Sequence, residues 1–545
     1  MSSMNPSSAL PHGEAQGDWS PSSWRTKTVA QPVTYPDEDH LRRVCNKLNK
    51  LPPLVSPGEI ERLRHQLAQV QKGHAFLLHA GDCAESFNAC TESNISNKIG
   101  LILSFSLILI WGARMPVVRV GRIAGQHAKP RSSPMEKVKN DDGSVREVPS
   151  FRGDNVNGLS VDERTPDPER LLSAYFYSTT TLNYVRSLLA SGFSSLNNPR
   201  EWSLSHVRSP ALRGEFENIS NGLADALDFC RTIGAEPGGL SGGAAYENGG
   251  ARGVLGEVDL YTSHEGLMLE YEEALTRWLP IPRSGTSPAQ LAPQQGAPNT
   301  TSAAEVQDGI TTPIRTASKR DEAGPRRLGA YNTSAHFLWV GDRTRQLTGA
   351  HIEYFRGIRN PIGIKVGPSM KAEELVQLLD VVNPDREDAK VTLITRYGAD
   401  KIDTHLAGHI AAVQKSRHPI IWVCDPMHGN TLTSASGLKT RHFSTIVSEL
   451  TSCLRIHTAS NSRLGGVSLE FTGELNDEGF SVTECLGGSM ELAEEELSLR
   501  YQSFCDPRLN FEQSLDLAFL VSNHYKNERR GRKGGMMSEL AGLQS

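Results

Sequence analysis

Nine short β-rich runs, with helix-forming stretches between them, recur along the chain, and this alternation restricts the fold more than any other feature. In order they are AFLLHA, PVVRV, GFSSL, GEVDLYT, HFLWV, PIGIKV, VTLITR, IIWVCD and GVSLEF. Strands that alternate with helices make parallel sheets, because a parallel pair needs a long crossover connection and a helix supplies it. Eight such units close a barrel, so the prediction is an α/β fold of the (β/α)8 TIM type. One of the two weakest runs, GFSSL or GEVDLYT, then lies outside it. An open doubly wound sheet is the alternative, but no G-x-G-x-x-G follows an early strand.

Composition divides the 545 residues further. Residues 1–70 read as an N-terminal extension packing on the barrel, 71–525 as the barrel itself, and 526–545 as a polar tail. Residues 282–327 are rich in Pro, Ser, Thr, Gln and Ala and nearly free of large apolar side chains. They read as a low-complexity, disordered insertion within the barrel. GLILSFSLILIWGA, from Gly100, is too short for a bilayer and runs into Arg114, so it is expected to be a buried helix. A net charge of −5 gives no global pull toward nucleic acid or an anionic membrane. Eight cysteines without a C-x-x-C suit a reducing compartment, and the first residues lack signal- or transit-peptide character, so a cytoplasmic location is expected.

The residues that follow the strand-like runs carry the chemistry. They are GDC at Cys83, GRIAGQHAKPRS from Gly121, GDRTR from Gly341, Lys365, Arg396, DPMHGN around His428 and Glu470. In a parallel barrel such residues converge at one face, however distant in sequence. Two sets separate. Cys83, His428, Glu470 and, from FCDPRLN, Asp506 offer a thiolate, an imidazole and two carboxylates, a donor set for a divalent transition metal rather than magnesium or calcium. Residue types alone leave manganese, cobalt, iron and zinc open. Arg119, Arg122, Lys129, Arg131, Arg343, Arg345, Lys365 and Arg396 form a cationic set suited to a small, multiply anionic substrate, phosphorylated acids above all. A nucleic-acid groove would need interleaved aromatics, and GRIAGQHAKPRS has none. His405 and His409 are spaced as in helical zinc sites but lack the catalytic Glu of H-E-x-x-H, so they are set aside.

AGDCAESF, MPVVRVGRIAGQHAKPRSSP, SFRGDNVNG, LYTSHEGLMLEYE, WVGDRTRQLTGAHIEY, NPIGIKVGP, LITRYGADKI, WVCDPMHGNT, LEFTGE and CDPRLN resemble, in order, the blocks of type II 3-deoxy-D-arabino-heptulosonate 7-phosphate synthases. The resemblance runs from about residue 17 to about residue 525. It implies a metal-dependent condensation of phosphoenolpyruvate with D-erythrose 4-phosphate and water, releasing phosphate, as the first shikimate step. It also implies a homo-oligomer, aromatic amino acid effectors and a divalent metal, manganese first. By motif, the metal ligands are Cys83, His428, Glu470 and Asp506, and the phosphoenolpyruvate site is Arg122, Asp342, Arg343, Lys365 and Arg396. Lys129, Arg131 and Ser132 would face erythrose 4-phosphate, and Lys365 would donate a proton beside the metal-bearing Cys83 and His428. Asp342 departs from the family, which usually has Glu there. If Cys83 and Asp506 share a metal, Cys505 stands next to the site, and metal loss under oxidation would let Cys83 and Cys505 pair. A relative acting on another aldose, or a silent regulatory homologue, is the competing reading.

Overall fold

The computed structural model describes residues 19–139, 144–190, 209–232, 259–282, 327–488, 492 and 494–531. Eight parallel strands close into a barrel in chain order: β1 (Phe76–Gly81), β2 (Val117–Arg122), β3 (Leu260–Glu265), β4 (Phe337–Val340), β5 (Ile362–Val366), β6 (Val391–Thr395), β7 (Ile420–Cys424) and β8 (Gly466–Glu470). Of the two weak runs, GEVDLYT overlaps β3, while GFSSL lies outside the described residues. The strands are apolar on both faces because side chains alternate between the barrel interior and the surrounding helices. Trp339, Phe337, Val118 and Leu77 belong to one buried cluster and Leu338, Leu78 and Val467 to another. One polar exception inside is His79, whose ring nitrogens meet Ser468 Oγ at 2.9 Å and Ser263 Oγ at 3.1 Å.

Register aligns the chemistry. Gly81 pairs with Arg122 on one side and with Glu470 on the other, and Ile394 pairs with Lys365. The carboxyl ends of β1, β2 and β8 are therefore level, which places Asp82 and Cys83 beside Arg122 and Glu470 at one mouth.

Glu92–Ala113 is the helix expected from the lipid-like run. It begins earlier than the apolar stretch, with Thr91 capping Asn94 N, and it is long and apolar enough to cross a membrane. Here it is buried, and it packs on the helix Phe511–Arg529. Their backbones approach closely at Gly112, where a Cβ would collide with Ser522 Oγ, which donates to Ile108 O at 3.0 Å. A helix has one lipid-facing circumference, and this one spends it on protein contacts.

Helices Glu38–Lys50 and Pro57–Gln71 of the N-terminal segment pack on the main body. The second starts with a capping box: Ser56 and Glu59 bond reciprocally, with Pro57 at the first position. Strands Thr276–Pro280 and Leu328–Asn332 form an antiparallel ribbon ending at the pair Pro280 and Leu328. The polar segment 282–327 is therefore inserted at the end of a two-stranded stem; apart from its ends it lies outside the described residues. The final helix continues to Arg529, past residue 526, and residues 532–545 of the tail also lie outside them.

Candidate active site

A cavity of about 90 Å³ at the carboxyl ends of the strands is lined by Cys83, Arg122, Lys129, Glu265, Asp342, Arg343, Lys365, Arg396, His428, Glu470 and Asp506, among others. These side chains come from the ends of all eight strands or the loops just after them, and from the segment after β8.

The metal-type donors meet here. His428 Nε2 lies 2.9 Å from Glu470 Oε1, and one ligand atom from each of His428, Glu470 and Asp506 falls within 4.8 Å of the others. Cys83, Cys505 and Asp506 form a second such group, so Asp506 joins the two. His428 Nδ1 donates to Asp425 Oδ2 at 2.7 Å, which leaves Nε2 facing a carboxylate oxygen. Two acceptors so placed are satisfied by a proton or by a cation between them, and the donor types fit a divalent transition metal. Glu470 also pairs with Arg122 at 2.9 Å and Arg441 at 3.0 Å. Burial alone would raise its carboxyl pKa; His428, Arg122 and Arg441 outweigh that and hold it well below the usual range. At Asp506, burial is likewise outweighed by Lys129, His428 and Arg441.

Cys83 and Cys505 are joined as a disulfide. In this state the Cys83 sulfur lies 3.9 Å from Asp506 Oδ2 and accepts from Asp506 N at 3.4 Å. Lys129 Nζ sits against Cys505 Sγ and 3.4 Å from Asp506 Oδ2. Burial is the main cause that brings Lys129 down to about 8. Its ammonium therefore stands on the donor cluster itself.

The cationic set is smaller than expected. Five of its eight members line the cavity: Arg122, Lys129, Arg343, Lys365 and Arg396. Arg119 is turned onto its own strand, donating to Val117 O at 3.3 Å. Arg131 is held by Glu136 at 2.7 Å, and Ser132 is exposed, so neither reaches the lining. Arg345 is held by Asp342 at 2.8 Å and Glu374 at 3.0 Å. Strand-end position alone counted these three arginines, and it does not tell a cation aimed at a ligand from one with a carboxylate neighbour. Arg396 donates to Asp342 Oδ2 at 3.1 Å and to His428 O at 2.7 Å. Arg343 is exposed at the rim.

Three contributors carry no role in the sequence reading. Asp425, fully buried, accepts from both Lys365 and His428 and so ties the lysine to the imidazole. Burial lowers the Lys365 pKa and Arg122 adds to this, while Asp425 opposes it. Glu265 lines the cavity with a buried Oε1 that has no hydrogen-bond partner, and burial raises its pKa. Glu85 accepts the N–H groups of Ala124, Gly125 and Gln126 at 2.8–3.0 Å and so shapes the loop after β2. The only signal in the sequence was position, since Asp425 and Glu265 stand directly at strand ends. His409 is used structurally, its ring bonded to Tyr397 OH and Met370 O.

A parallel eight-stranded barrel whose strand ends gather cations beside an imidazole, carboxylates and a cysteine pair has the makings of an enzyme that handles small anions. A family model described as the Class-II DAHP synthetase family matches residues 19–522. The chain belongs to that family. A Neurospora crassa phospho-2-dehydro-3-deoxyheptonate aldolase is 48% identical over 517 residues, covering 94% of this chain and 96% of the relative. A Streptomyces coelicolor protein of the same name is 39% identical over 508 residues, covering 93% and 97%. A solved Francisella tularensis structure of that name aligns over 90% of this chain and 97% of its own at 13% identity, with a TM-score of 0.41. The chain is accordingly an aldol-type transferase with 3-deoxy-7-phosphoheptulonate synthase activity, the first step of the shikimate pathway.

Proposed function

We propose that the chain condenses phosphoenolpyruvate with D-erythrose 4-phosphate and water, releasing phosphate, and that it does so with a divalent transition metal held by Cys83, His428, Glu470 and Asp506. The observation that carries this reading is the convergence of four metal-type donors and five cations on one cavity. Manganese is the first choice, with cobalt, iron or zinc as alternatives.

A metal bound there supplies Lewis acidity at the aldehyde oxygen of the second substrate. Arg122 and Lys365 hold the carboxylate of phosphoenolpyruvate, and Arg343 and Arg396 its phosphate, so two anionic molecules can approach despite repulsion. A carbon–carbon bond forms between the enol carbon and the aldehyde carbon, and Lys365 gives its proton to the former aldehyde oxygen. The lowered pKa of Lys365, chiefly from burial, suits it to that transfer. Water adds to the phosphate-bearing carbon with loss of a proton, and phosphate leaves as the ketone forms. Asp342 holds Arg396 in place. Lys129 faces erythrose 4-phosphate only from beside the metal donors, and Arg131 and Ser132 would do so only from outside the cavity lining. From the family resemblance we also infer a homo-oligomer that responds to aromatic amino acids, and from the scattered cysteines a cytoplasmic, reducing setting.

The test is phosphate release by reduced, manganese-loaded protein with both substrates, beside Cys83→Ser. Release that needs both substrates and collapses in the variant supports the reading. No release with erythrose 4-phosphate, but release with another aldose, would replace the second substrate.

A further inference from the structure

Two loops meet over the carboxyl ends of β6 and β7. One carries Arg396, Tyr397 and Gly398, the other His428, Gly429 and Asn430. They touch backbone to backbone: a Cβ on Gly429 would lie 2.2 Å from Gly398 N, and one on Gly398 would lie 2.8 Å from Gly429 O. Gly398 also has φ +88°, a left-handed conformation that favours glycine. The contact is thus open to glycine alone on either side.

Beneath it stands Glu449, fully buried on the helix Phe443–Ala459. One carboxylate oxygen, Oε1, accepts the backbone N–H groups of Tyr397 and Gly398, both at 2.9 Å. The other, Oε2, accepts from Asn430 Nδ2 at 2.7 Å. Asn430 itself accepts from Ala399 N at 3.0 Å and donates to Pro426 O at 2.8 Å, which fixes the face of its amide. A single buried carboxylate is therefore bonded to both loops at once.

We propose that Glu449 is a positioning residue that sets the phosphoenolpyruvate arginine, Arg396, against the metal-binding histidine, His428. This rests on the reading of those two residues given above. Buried partners behind metal ligands typically change affinity by roughly 10–100-fold when removed. Misplacing a substrate-holding group by a fraction of its length costs comparably.

The test uses the full, reduced chain and measures the Kd of Mn²⁺ and of phosphoenolpyruvate, the KM for erythrose 4-phosphate, and Tm. In Glu449→Gln, Oε1 keeps both backbone bonds while the new Nε2 faces the fixed donor Asn430 Nδ2. Mn²⁺ binding should weaken by roughly ten-fold, with phosphoenolpyruvate binding and the KM for erythrose 4-phosphate little changed. Glu449→Ala should weaken both ligands. Leu450→Ala, buried on the same helix, should lower Tm and leave both affinities intact. If Glu449→Ala does not fold, the glutamine variant decides alone. Wild-type affinities in the glutamine variant, beside normal binding by the wild-type chain, overturn the inference and leave the site reading standing. A wild-type chain that binds neither Mn²⁺ nor phosphoenolpyruvate overturns both.

Discussion

Asp342 and Arg396 are joined across two strand ends, with Oδ2 of one 3.1 Å from Nη1 of the other. The other carboxylate oxygen holds Arg345 at 2.8 Å, so one short side chain fixes a cavity arginine by bracing on a second arginine outside it. Asp342→Asn keeps the shape and removes the charge. Charge-assisted hydrogen bonds are worth about 1.5–3 kcal/mol, so the KM for phosphoenolpyruvate should rise roughly ten-fold or more, with kcat less affected. Asp342→Glu should stay near wild type. Steady-state kinetics with phosphoenolpyruvate varied would show this, and an unchanged KM in the asparagine variant would remove Asp342 from the positioning of Arg396.

Asp425 accepts from His428 Nδ1 and from Lys365, so it fixes both the tautomer of the imidazole and the place of the lysine. Asp425→Asn should weaken metal binding by roughly 10–100-fold, as for other outer partners of histidine ligands. Titrating Mn²⁺ into chelator-stripped protein measures it directly.

The disulfide between Cys83 and Cys505 withdraws one proposed metal ligand from its lone-pair chemistry. Only the thiolate binds metal, so oxidised, metal-free protein should regain activity with manganese only after a reductant is added. Cys505→Ser should abolish that requirement while still responding to metal. A free-thiol count that does not fall when the metal-free wild type is oxidised contradicts the pairing.

At Glu59, burial favours the neutral acid, but His336, Arg186 at 2.8 Å and the Ser56 N–H outweigh it and hold the carboxyl well below its ordinary range. The folded state thus stays ionised where the unfolded chain takes up a proton. The stability Glu59 contributes is full above the unfolded carboxyl pKa of about 4.3 and is lost as pH falls below it. Glu59→Gln should be less stable at pH 7, and its deficit relative to wild type should shrink toward pH 3, as followed by denaturant midpoints.

The barrel was legible because its strands are short, β-branched and separated by helices, and because eight is the number that closes. The run GEVDLYT reads as weak because its β-rich half is only the start of Leu260–Glu265, whose later residues, Ser263, His264 and Glu265, are polar. Cys83, His428, Glu470 and Asp506 could be grouped by chemistry, since few other roles ask for those four types at strand ends. Arg119, Arg131 and Arg345 could not be sorted from Arg122 and Arg396, because a cation's partner is set by packing between distant segments. Glu449 was invisible for the same reason: nothing in SELTSC marks a carboxylate that will be wholly enclosed and bonded to three donors.

Strand β1 pairs with β8, and Asp506 and the helix Phe511–Arg529 come later still. As the chain leaves the ribosome, its first barrel strand waits for a neighbour that is nearly four hundred residues behind it. Until then the growing sheet has two open edges, and the buried apolar helix Glu92–Ala113 lacks its final cover. The donor cluster cannot form before Asp506 has emerged, 423 residues after Cys83, so activity in this molecule doubles as a report that the barrel has closed.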